Sequence, residues 1–296
     1  MRRLIHTLLA LTALAAAAPA VAYAGDKEIP RLTTFGGSCP RCELSGRRLR
    51  GAQFVGANFQ GASFVGSDLR ESHVMASNFS DANMSHVDLT DSQLVGAIFK
   101  GTNLTKARLR DAQASGGTFT NANLAGADLS DTAAQGAIFT DATMGNATLR
   151  DTDLTGAQLR RVTARGADFT EATLRGASLS DGHFEHASFR DAVLDAAQLS
   201  GANFDGADFT EASLRHVQFG SADLSRAKGL TQDQLDDACG DSRTRLPPGL
   251  VARCSGVRIS YHGHVVIPPP PAPPAPPAPP APPAPARYLV DIERSY

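Results

Sequence analysis

The chain has 296 residues, four cysteines and no tryptophan, and its formal net charge at pH 7 is −2. Its charge is close to neutral, and no nucleic-acid partner is expected.

Residues 1–24 have the three parts of a secretory signal peptide. Arg2 and Arg3 give a basic start, residues 8–18 an apolar core, and residues 22–24 a small-x-small cleavage site. The apolar core is short for a transmembrane helix, although an uncleaved membrane anchor stays open as an alternative. We therefore expect a bacterial protein that is periplasmic or secreted, with no transmembrane span after the signal is cleaved.

A five-residue periodicity occupies residues 42–228, after a predicted N-terminal cap segment at residues 25–41. Leucine or phenylalanine stands at every fifth position from Leu44 to Leu224, and a second column, two positions earlier, is mostly small. The exceptions in the first column are Val74, Met84, Ala114, Ala134, Met144 and Ala164. A period of five fits neither a helix nor a plain strand, and a fixed short period over most of a chain predicts a solenoid.

The repeating unit reads A-(N/D)-(L/F)-(S/T/R)-(G/D/E), as in GANFQGASFVGSDLRES at residues 56–72. This pattern resembles the pentapeptide-repeat family. The resemblance implies an all-β fold, a right-handed quadrilateral β-helix, in which one pentapeptide forms each side and four form a 20-residue coil. The central Leu or Phe and the small residue two positions before it would both point inward.

Residue types that recur at every twentieth position support the 20-residue coil independently. One set would stack on a single side: Phe59, Phe79, Phe99, Phe119 and Phe139. Another would occupy corners that need positive φ: Gly96, Gly116, Gly136, Gly156 and Gly176. About nine coils at roughly 4.8 Å each give a rod of about 44 Å.

The residues after the repeats predict a C-terminal cap at 229–267 and a tail at 268–296. Residues 230–238 have the pattern of one short helix, with a capping box from Thr231 and Gln234 and a stop at Gly240. Residues 257–267 predict a strand pair around Gly263. Residues 268–285 are thirteen prolines and five alanines, which predict a disordered polyproline II spacer of up to about 56 Å.

The four cysteines form two couples at opposite ends of the predicted rod. Cys39 and Cys42 precede the first coil, and Cys239 and Cys254 lie in the C-terminal cap. A rod of about 44 Å is far beyond disulfide reach, so each cysteine can pair only with its near neighbour. The C-P-R-C spacing leaves a redox pair as an alternative to a structural staple.

The sequence contains no recognisable enzyme constellation, so we expect no catalytic residues, no metal and no cofactor. Five histidines fall at outward repeat positions: His73, His86, His183, His186 and His216. His262 and His264 leave a metal contact open as an alternative, although two ligands do not complete a site.

One edge of the predicted rod carries an unbroken column of carboxylates, the possible interaction site. It consists of Glu71, Asp91, Asp111, Asp131, Asp151, Glu171, Asp191 and Glu211. Five aspartates three positions earlier add to it: Asp68, Asp88, Asp128, Asp168 and Asp208. Either this corner simply tolerates acids, whose side chains bond nearby amides, or the column binds cations or a protein partner.

The sequence predicts a non-catalytic exported scaffold or protein-interaction spacer of the bacterial cell envelope, with an unknown protein or envelope component as partner. The first alternative is a DNA-mimicking gyrase-binding protein, since some members of the resembled family act in that way; the second is a cation-binding solenoid. We also expect Leu129 to point inward and Ser130 to point outward, so that only Leu129→Asp would disrupt the rod.

Overall fold

A computed structural model describes residues 36–252 and residue 254, all of which belong to one compact unit. The predicted signal peptide, residues 25–35 of the N-terminal cap, the strand pair and the proline-rich tail lie outside the described residues. Within the described part of the chain, no helix is long and apolar enough to cross a membrane.

The chain winds into a four-sided β-helix with 20 residues in each coil. The residue before each centre forms a parallel bridge with the residue 20 positions later, from Ser38 with Asn58 to Asp208 with Lys228. Each side contributes a single bridge residue, so the solenoid consists of isolated bridges joined by turns. The predicted coil length is thereby confirmed.

Backbone hydrogen bonds tie each coil to its neighbours on both sides. The Leu129 N–H donates to the Thr148 carbonyl of the next coil at 2.7 Å, and the Asp128 N–H donates to the Ala107 carbonyl of the preceding coil at 2.9 Å. A turn closes each corner, as where the Thr132 N–H donates to the Leu129 carbonyl at 3.2 Å. Every coil is therefore held mainly by the coils it touches.

The third residue of every corner turn has positive φ. Every fifth residue from Arg41 to Ser221 has φ between +53° and +72°, which is the geometry of a type II turn. Gly96 at +65° and Gly176 at +62° confirm the predicted role of their column. Non-glycine residues occupy many other corners, and their left-handed backbone is kept because the inter-coil hydrogen bonds overdetermine it.

The interior is filled by the central Leu and Phe and by the small column. Leu129 is 1% exposed, and the predicted phenylalanine column is stacked, with ring centroids of Phe99 and Phe119 4.9 Å apart at an interplanar angle of 10°. A second stack lies on the opposite side, where the Phe169 and Phe189 centroids are 4.9 Å apart. These spacings match the rise expected for parallel strands.

Ser130 points away from the core, as predicted, but it is not exposed to solvent. Ser130 is only 5% exposed, and its hydroxyl donates a hydrogen bond of 2.7 Å to Asp128 Oδ1. The side chain leaves the core but lies flat on the outer face of its coil, where its neighbours cover it. An aspartate at this position would place a second carboxylate directly beside Asp128, so Ser130→Asp is not a neutral control for core substitutions.

One helix, α1, covers the C-terminal end of the solenoid at Gln232–Leu235, which is shorter than the predicted 230–238. Thr231 and Gln234 form the predicted capping box. Gln234 Nε2 also donates to the carbonyls of Phe209 and Ala212, at 2.9 and 2.8 Å. These bonds hold the single turn in place, because it satisfies backbone acceptors of the coil below. The C-cap is Asp236, so Gly240 does not end the helix.

After α1 the chain continues the coil with a shifted register. Gln218 bridges Cys239, 21 residues on, and Asp223 bridges Arg245, 22 residues on. Leu235 and Ala238 are buried, at 0% and 1% exposure, where they extend the two inward columns. The cap is thus an irregular last coil. One additional residue lies before Cys239, where α1 is inserted, and a second lies between Cys239 and Arg245, where Asp241 and Thr244 form a turn.

We predict that the carboxylate of Asp241 stabilises this cap only above acidic pH. Its oxygens accept hydrogen bonds from the backbone N–H of Ser221 (2.8 Å) and of Arg243 (2.9 Å) and from the Thr244 hydroxyl (3.0 Å). The Ser221 N–H, followed by the other donors, holds the Asp241 pKa well below its ordinary value. Stability from a lowered pKa is present above the ordinary value and is lost as pH falls through the folded value.

The measurement is the melting temperature of wild type and Asp241→Asn at neutral pH and near pH 3. We expect wild type to be the more stable at neutral pH and the difference to shrink in acid. Asp237→Asn, at an exposed cap position two residues before Cys239, is the matched control and should show no such convergence. A difference that stays constant with pH would contradict the assignment to the Asp241 carboxylate.

Candidate functional site

The eight predicted carboxylates lie along one edge of the solenoid, which we call the acidic edge: Glu71, Asp91, Asp111, Asp131, Asp151, Glu171, Asp191 and Glu211. All eight are exposed and stand at the positive-φ position of the same corner, with φ between +56° and +62°. Because the coil repeats every 20 residues, the structure brings residues from 141 positions of sequence into one line.

The neighbouring aspartates, not the acidic edge, bond the nearby amides. Asp168 Oδ1 accepts from the Thr170 N–H at 3.0 Å and from the Thr170 hydroxyl. Although burial acts to raise the pKa of Asp168, these bonds and Arg150 lower it below the ordinary value. Asp128 bonds Ser130 in the same manner. The sequence predicts that acids at this corner bond nearby amides. That prediction applies to the aspartates three positions before the acidic edge, such as Asp128 and Asp168.

Arginines connect successive coils along this side. Arg110 lies between two carboxylates of the next coil, with Nη1 3.6 Å from Asp128 Oδ2 and Nη2 3.4 Å from Asp131 Oδ2. Arg150 repeats the arrangement, 3.2 Å from Asp168 and 3.8 Å from Glu171. Exposed pairs of this kind contribute about 0–1 kcal/mol each, so they neutralise the edge more than they stabilise the fold.

This side has a period of two coils, which the reading by single pentapeptides missed. Arginine and a hydroxyl residue alternate at the position after the centre: Arg70, Thr90, Arg110, Ser130, Arg150, Thr170, Arg190 and Thr210. Each arginine reaches the aspartate of the next coil, and the hydroxyl of that coil bonds the same aspartate. A 40-residue recurrence in the sequence is the signal that could have revealed it.

The alternation leaves part of the acidic edge without counter-charge. Glu71 pairs with Arg50, whose hydrogen bond lowers the Glu71 pKa. The edge residues that form no ion pair within the described residues are Asp91, Asp111, Asp151, Asp191 and Glu211. Neighbouring members of this set are one or two coils apart, which is roughly 5–10 Å. The free charge is therefore exposed and unevenly spaced.

The two cysteine couples are joined as disulfides in the structure. Cys39 and Cys42 have Cα atoms 5.5 Å apart, and Cys239 and Cys254 have Cα atoms 4.3 Å apart. Cys39 takes a central position of the first coil, since its N–H donates to the Asn58 carbonyl at 2.8 Å as the other centres do. Mass mapping of the oxidised protein should find these two pairs, and a bridge between the two couples would refute a rigid rod.

Metal-ligating groups do not converge in the part of the chain that the structure describes. No group of three or more His, Cys, Asp or Glu residues there is placed to hold a metal ion. His183 lies 3.5 Å from Glu185 Oε1, and Arg165 donates to the same oxygen at 2.9 Å, which makes an isolated charge cluster. His262 and His264 lie outside the described residues.

A family model described as pentapeptide repeats matches the chain in eight copies, over residues 41–73, 77–113, 118–156, 142–181, 152–191 and 192–228. These segments cover more than half of the chain. Proteins built from this repeat adopt a right-handed quadrilateral β-helix, the architecture described above. No curated protein matches the chain.

Solved structures of repeat proteins are similar to this chain. HetL, a pentapeptide repeat protein involved in heterocyst differentiation regulation in Nostoc sp. strain PCC 7120, is 26% identical with a TM-score of 0.64, over 72% of this chain and 92% of HetL. A pentapeptide repeat protein from the Arabidopsis thaliana thylakoid lumen is 33% identical with a TM-score of 0.28, over 36% of this chain and 71% of its own. QnrB1, a plasmid-mediated fluoroquinolone resistance protein, is 19% identical with a TM-score of 0.34, over 70% and 93%.

Proposed function

Because the chain belongs to the pentapeptide-repeat family, we propose that it is an exported, non-catalytic scaffold or protein-interaction spacer of the bacterial cell envelope. The observation that carries the proposal is the unbroken solenoid from Ser38 to Lys228, whose side chains are used for packing and for contacts between coils. A rod held by nearest-neighbour contacts keeps its two ends at a fixed separation, which is what a spacer requires.

The signal-like residues 1–24 and the two cysteine couples support export. Disulfides form and persist in oxidising compartments and are rare in the bacterial cytosol. The partner that we propose is a protein or another envelope component, held on the outer faces or at the ends of the rod. The proline-rich residues 268–285 would serve as a stiff linker to it.

The charge pattern supports a scaffold over a mimic of DNA. A duplex carries one negative charge for about every 1.7 Å of its axis. The acidic edge instead has free carboxylates at roughly 5–10 Å spacing, with Arg110 and Arg150 paired between them. A gyrase-binding role also requires a cytosolic protein, whereas the proposal places this one outside the cytosol.

Cell fractionation tests the proposal most directly. The full-length protein with a small C-terminal epitope would be expressed in a Gram-negative bacterium, and the fractions probed beside a cytosolic and a periplasmic marker. We expect a mature protein, shortened by about 24 residues, in the periplasm or medium. An unprocessed protein in the cytosol would overturn the exported scaffold and restore the gyrase alternative.

We predict that the acidic edge is a tolerated corner and not a binding surface. The triple change of Asp111, Asp131 and Asp151 to Asn should leave the melting temperature unchanged or slightly higher, because asparagine accepts positive φ readily. Calcium titration by calorimetry should show no binding to wild type or variant, since no three ligands converge there. Pulldown from an envelope extract should capture the same proteins with both.

The matched control changes Asp81, Asp141 and Asp181 to Asn. These residues occupy the same turn position on a different edge, with φ of +59°, +61° and +60°. A protein that is captured by wild type and by the control at low salt, but not by the acidic-edge variant, would instead identify that edge as the surface for a basic partner.

A further inference from the structure

The two disulfides face in opposite directions. Cys39 and Cys42 occupy the inward columns of the first coil, where both pack against the hydrophobic core. Cys239 takes the outward bridge position beside Gln218, and Cys254 is exposed to solvent. An incoming thiolate must reach a sulfur along the S–S axis, so exposure governs which disulfide reacts.

An open cleft of about 390 Å³ leads to the outer disulfide. It is lined by both cysteines and by Ser200, His216, Asp237 and Asp241. The cleft lies on the surface of the last coil, where side chains of a second protein can approach Cys254. Cys239 is less accessible, because its backbone is fixed in the ladder between the Val217 carbonyl and the Phe219 N–H.

The two disulfides also differ in what happens once they open. Cys42 stays beside Cys39, because the Cys42 N–H donates to the Cys39 carbonyl at 3.3 Å across the corner turn. Two thiols held so closely have a high effective concentration and reoxidise readily. Cys254 is 15 residues from Cys239, and its Sγ lies 3.7 Å from the Gly240 carbonyl oxygen. Among the described residues beyond Arg245, Leu250 bonds Pro247 within the segment, and the hydrogen bonds to the rest of the cap are those of Val251 with Gln232. The Cys254 thiol can therefore move away from Cys239.

We propose that the Cys239–Cys254 disulfide is a reducible latch on the last coil, opened by a dithiol protein of the thioredoxin type. A thiolate of that protein attacks Cys254 Sγ, which forms a mixed disulfide and releases Cys239 as a thiolate that takes up a proton. The second thiol of the reductant loses its proton and attacks the reductant's sulfur in the mixed disulfide. Cys254 leaves as a thiol, and the reductant, having supplied two electrons, ends as a disulfide.

Opening the latch loosens residues 246–252 together with Cys254, and leaves the solenoid intact. The contacts that remain on this segment are those of half-buried Leu246, Leu250 and Ala252 with the core and the Gln232–Val251 hydrogen bonds, so the segment detaches more often than in the oxidised protein. When it is detached, the nine positions from 246 to 254 can extend up to roughly 30 Å. The coils are unaffected, since each depends on its immediate neighbours.

Graded reduction of the full-length oxidised protein tests the latch. Samples would be equilibrated at rising dithiothreitol concentrations, alkylated and mapped by mass spectrometry. We expect Cys239 and Cys254 to be alkylated at a dithiothreitol concentration at least about tenfold below that required for Cys39 and Cys42. Simultaneous alkylation of all four cysteines, or earlier alkylation of Cys39 and Cys42, would overturn the proposal.

Hydrogen exchange tests whether loss of the Cys239–Cys254 disulfide also loosens residues 246–252. In a Cys239→Ser, Cys254→Ser variant, peptides from residues 246–252 should exchange at least about tenfold faster than in the oxidised wild type. Peptides from the middle coils should be unchanged. The Cys39→Ser, Cys42→Ser control should leave residues 246–252 protected. Unchanged exchange at residues 246–252 in the first variant would show that the disulfide holds nothing in place. Neither result depends on the compartment, so each can fail independently of the proposed function.

Discussion

Leu129→Asp is expected to abolish the cooperative folding of the solenoid, or to leave it aggregated. The Leu129 side chain is 1% exposed, and the coils above and below cover it. A carboxylate at this position would be buried without a partner, which costs several kcal/mol even after its pKa shifts. The loss of the leucine contacts adds about 2–5 kcal/mol. Together these terms approach the whole stability of a typical domain.

Asn123→Asp is the control, because it introduces the same carboxylate at an exposed bridge position, five residues before Asp128. Asn123 Oδ1 accepts a hydrogen bond from the Ala125 N–H at 3.1 Å, and a carboxylate oxygen can accept it equally well. Thermal melts followed by circular dichroism should show a wild-type transition for Asn123→Asp and none for Leu129→Asp. Similar melts for the two variants would contradict the inward and outward assignment.

Gly182→Ala should destabilise the solenoid by about 1–3 kcal/mol, although alanine is the commonest residue in its column. A Cβ at Gly182 would lie 2.4 Å from Phe184 Cε2 and 3.0 Å from the Leu179 carbonyl oxygen. Phe184 is fully buried in a stack with Phe204, so its ring has no space into which to turn. For a domain of this size the melting temperature should fall by several degrees.

Gly→Ala variants at two other positions provide a comparison for the stability of Gly182→Ala. A Cβ at Gly145 would meet its nearest neighbour, the Arg165 carbonyl oxygen, at 3.9 Å, so Gly145→Ala should be neutral or stabilising by about 0.4–1 kcal/mol. Gly117 is intermediate, with the Phe119 ring 3.0 Å away. We expect stability to fall in the order Gly145→Ala, Gly117→Ala, Gly182→Ala. A stabilised Gly182→Ala variant would mean that the small column is set by backbone propensity and not by the adjacent rings.

The fold could be predicted from the sequence because its signal is local and repeated. Each pentapeptide carries an apolar centre and a small residue at fixed positions, and this pattern is sufficient to assign the two inward columns. The 20-residue coil followed from residue types that recur at that interval, such as Phe99 and Phe119. The fate of Ser130 could not be predicted, because the repeat separates the core from the surface but does not show which surface side chains are covered.

The acidic edge shows the same difference between what the repeat predicts and what only the stacked coils reveal. Its eight carboxylates could be placed in one line from their spacing alone, and the structure gives them the same corner and the same positive φ. Which of them carry free charge depends on arginines 21 positions earlier, as for Arg110 with Asp131 and Arg150 with Glu171. Such distances along the chain acquire meaning only when one coil lies on the next.

The sequence by itself determined the solenoid, its corners and the side of each coil that faces inward, because these follow from side-chain size and polarity within five residues. The tertiary structure alone decided the register of the cap, where Cys239 is displaced by one residue so that α1 fits above Phe209 and Ala212, and Arg245 is displaced by one more. It also decided that Gly182 must lack a Cβ. Both depend on the space left between stacked coils, which no local pattern specifies.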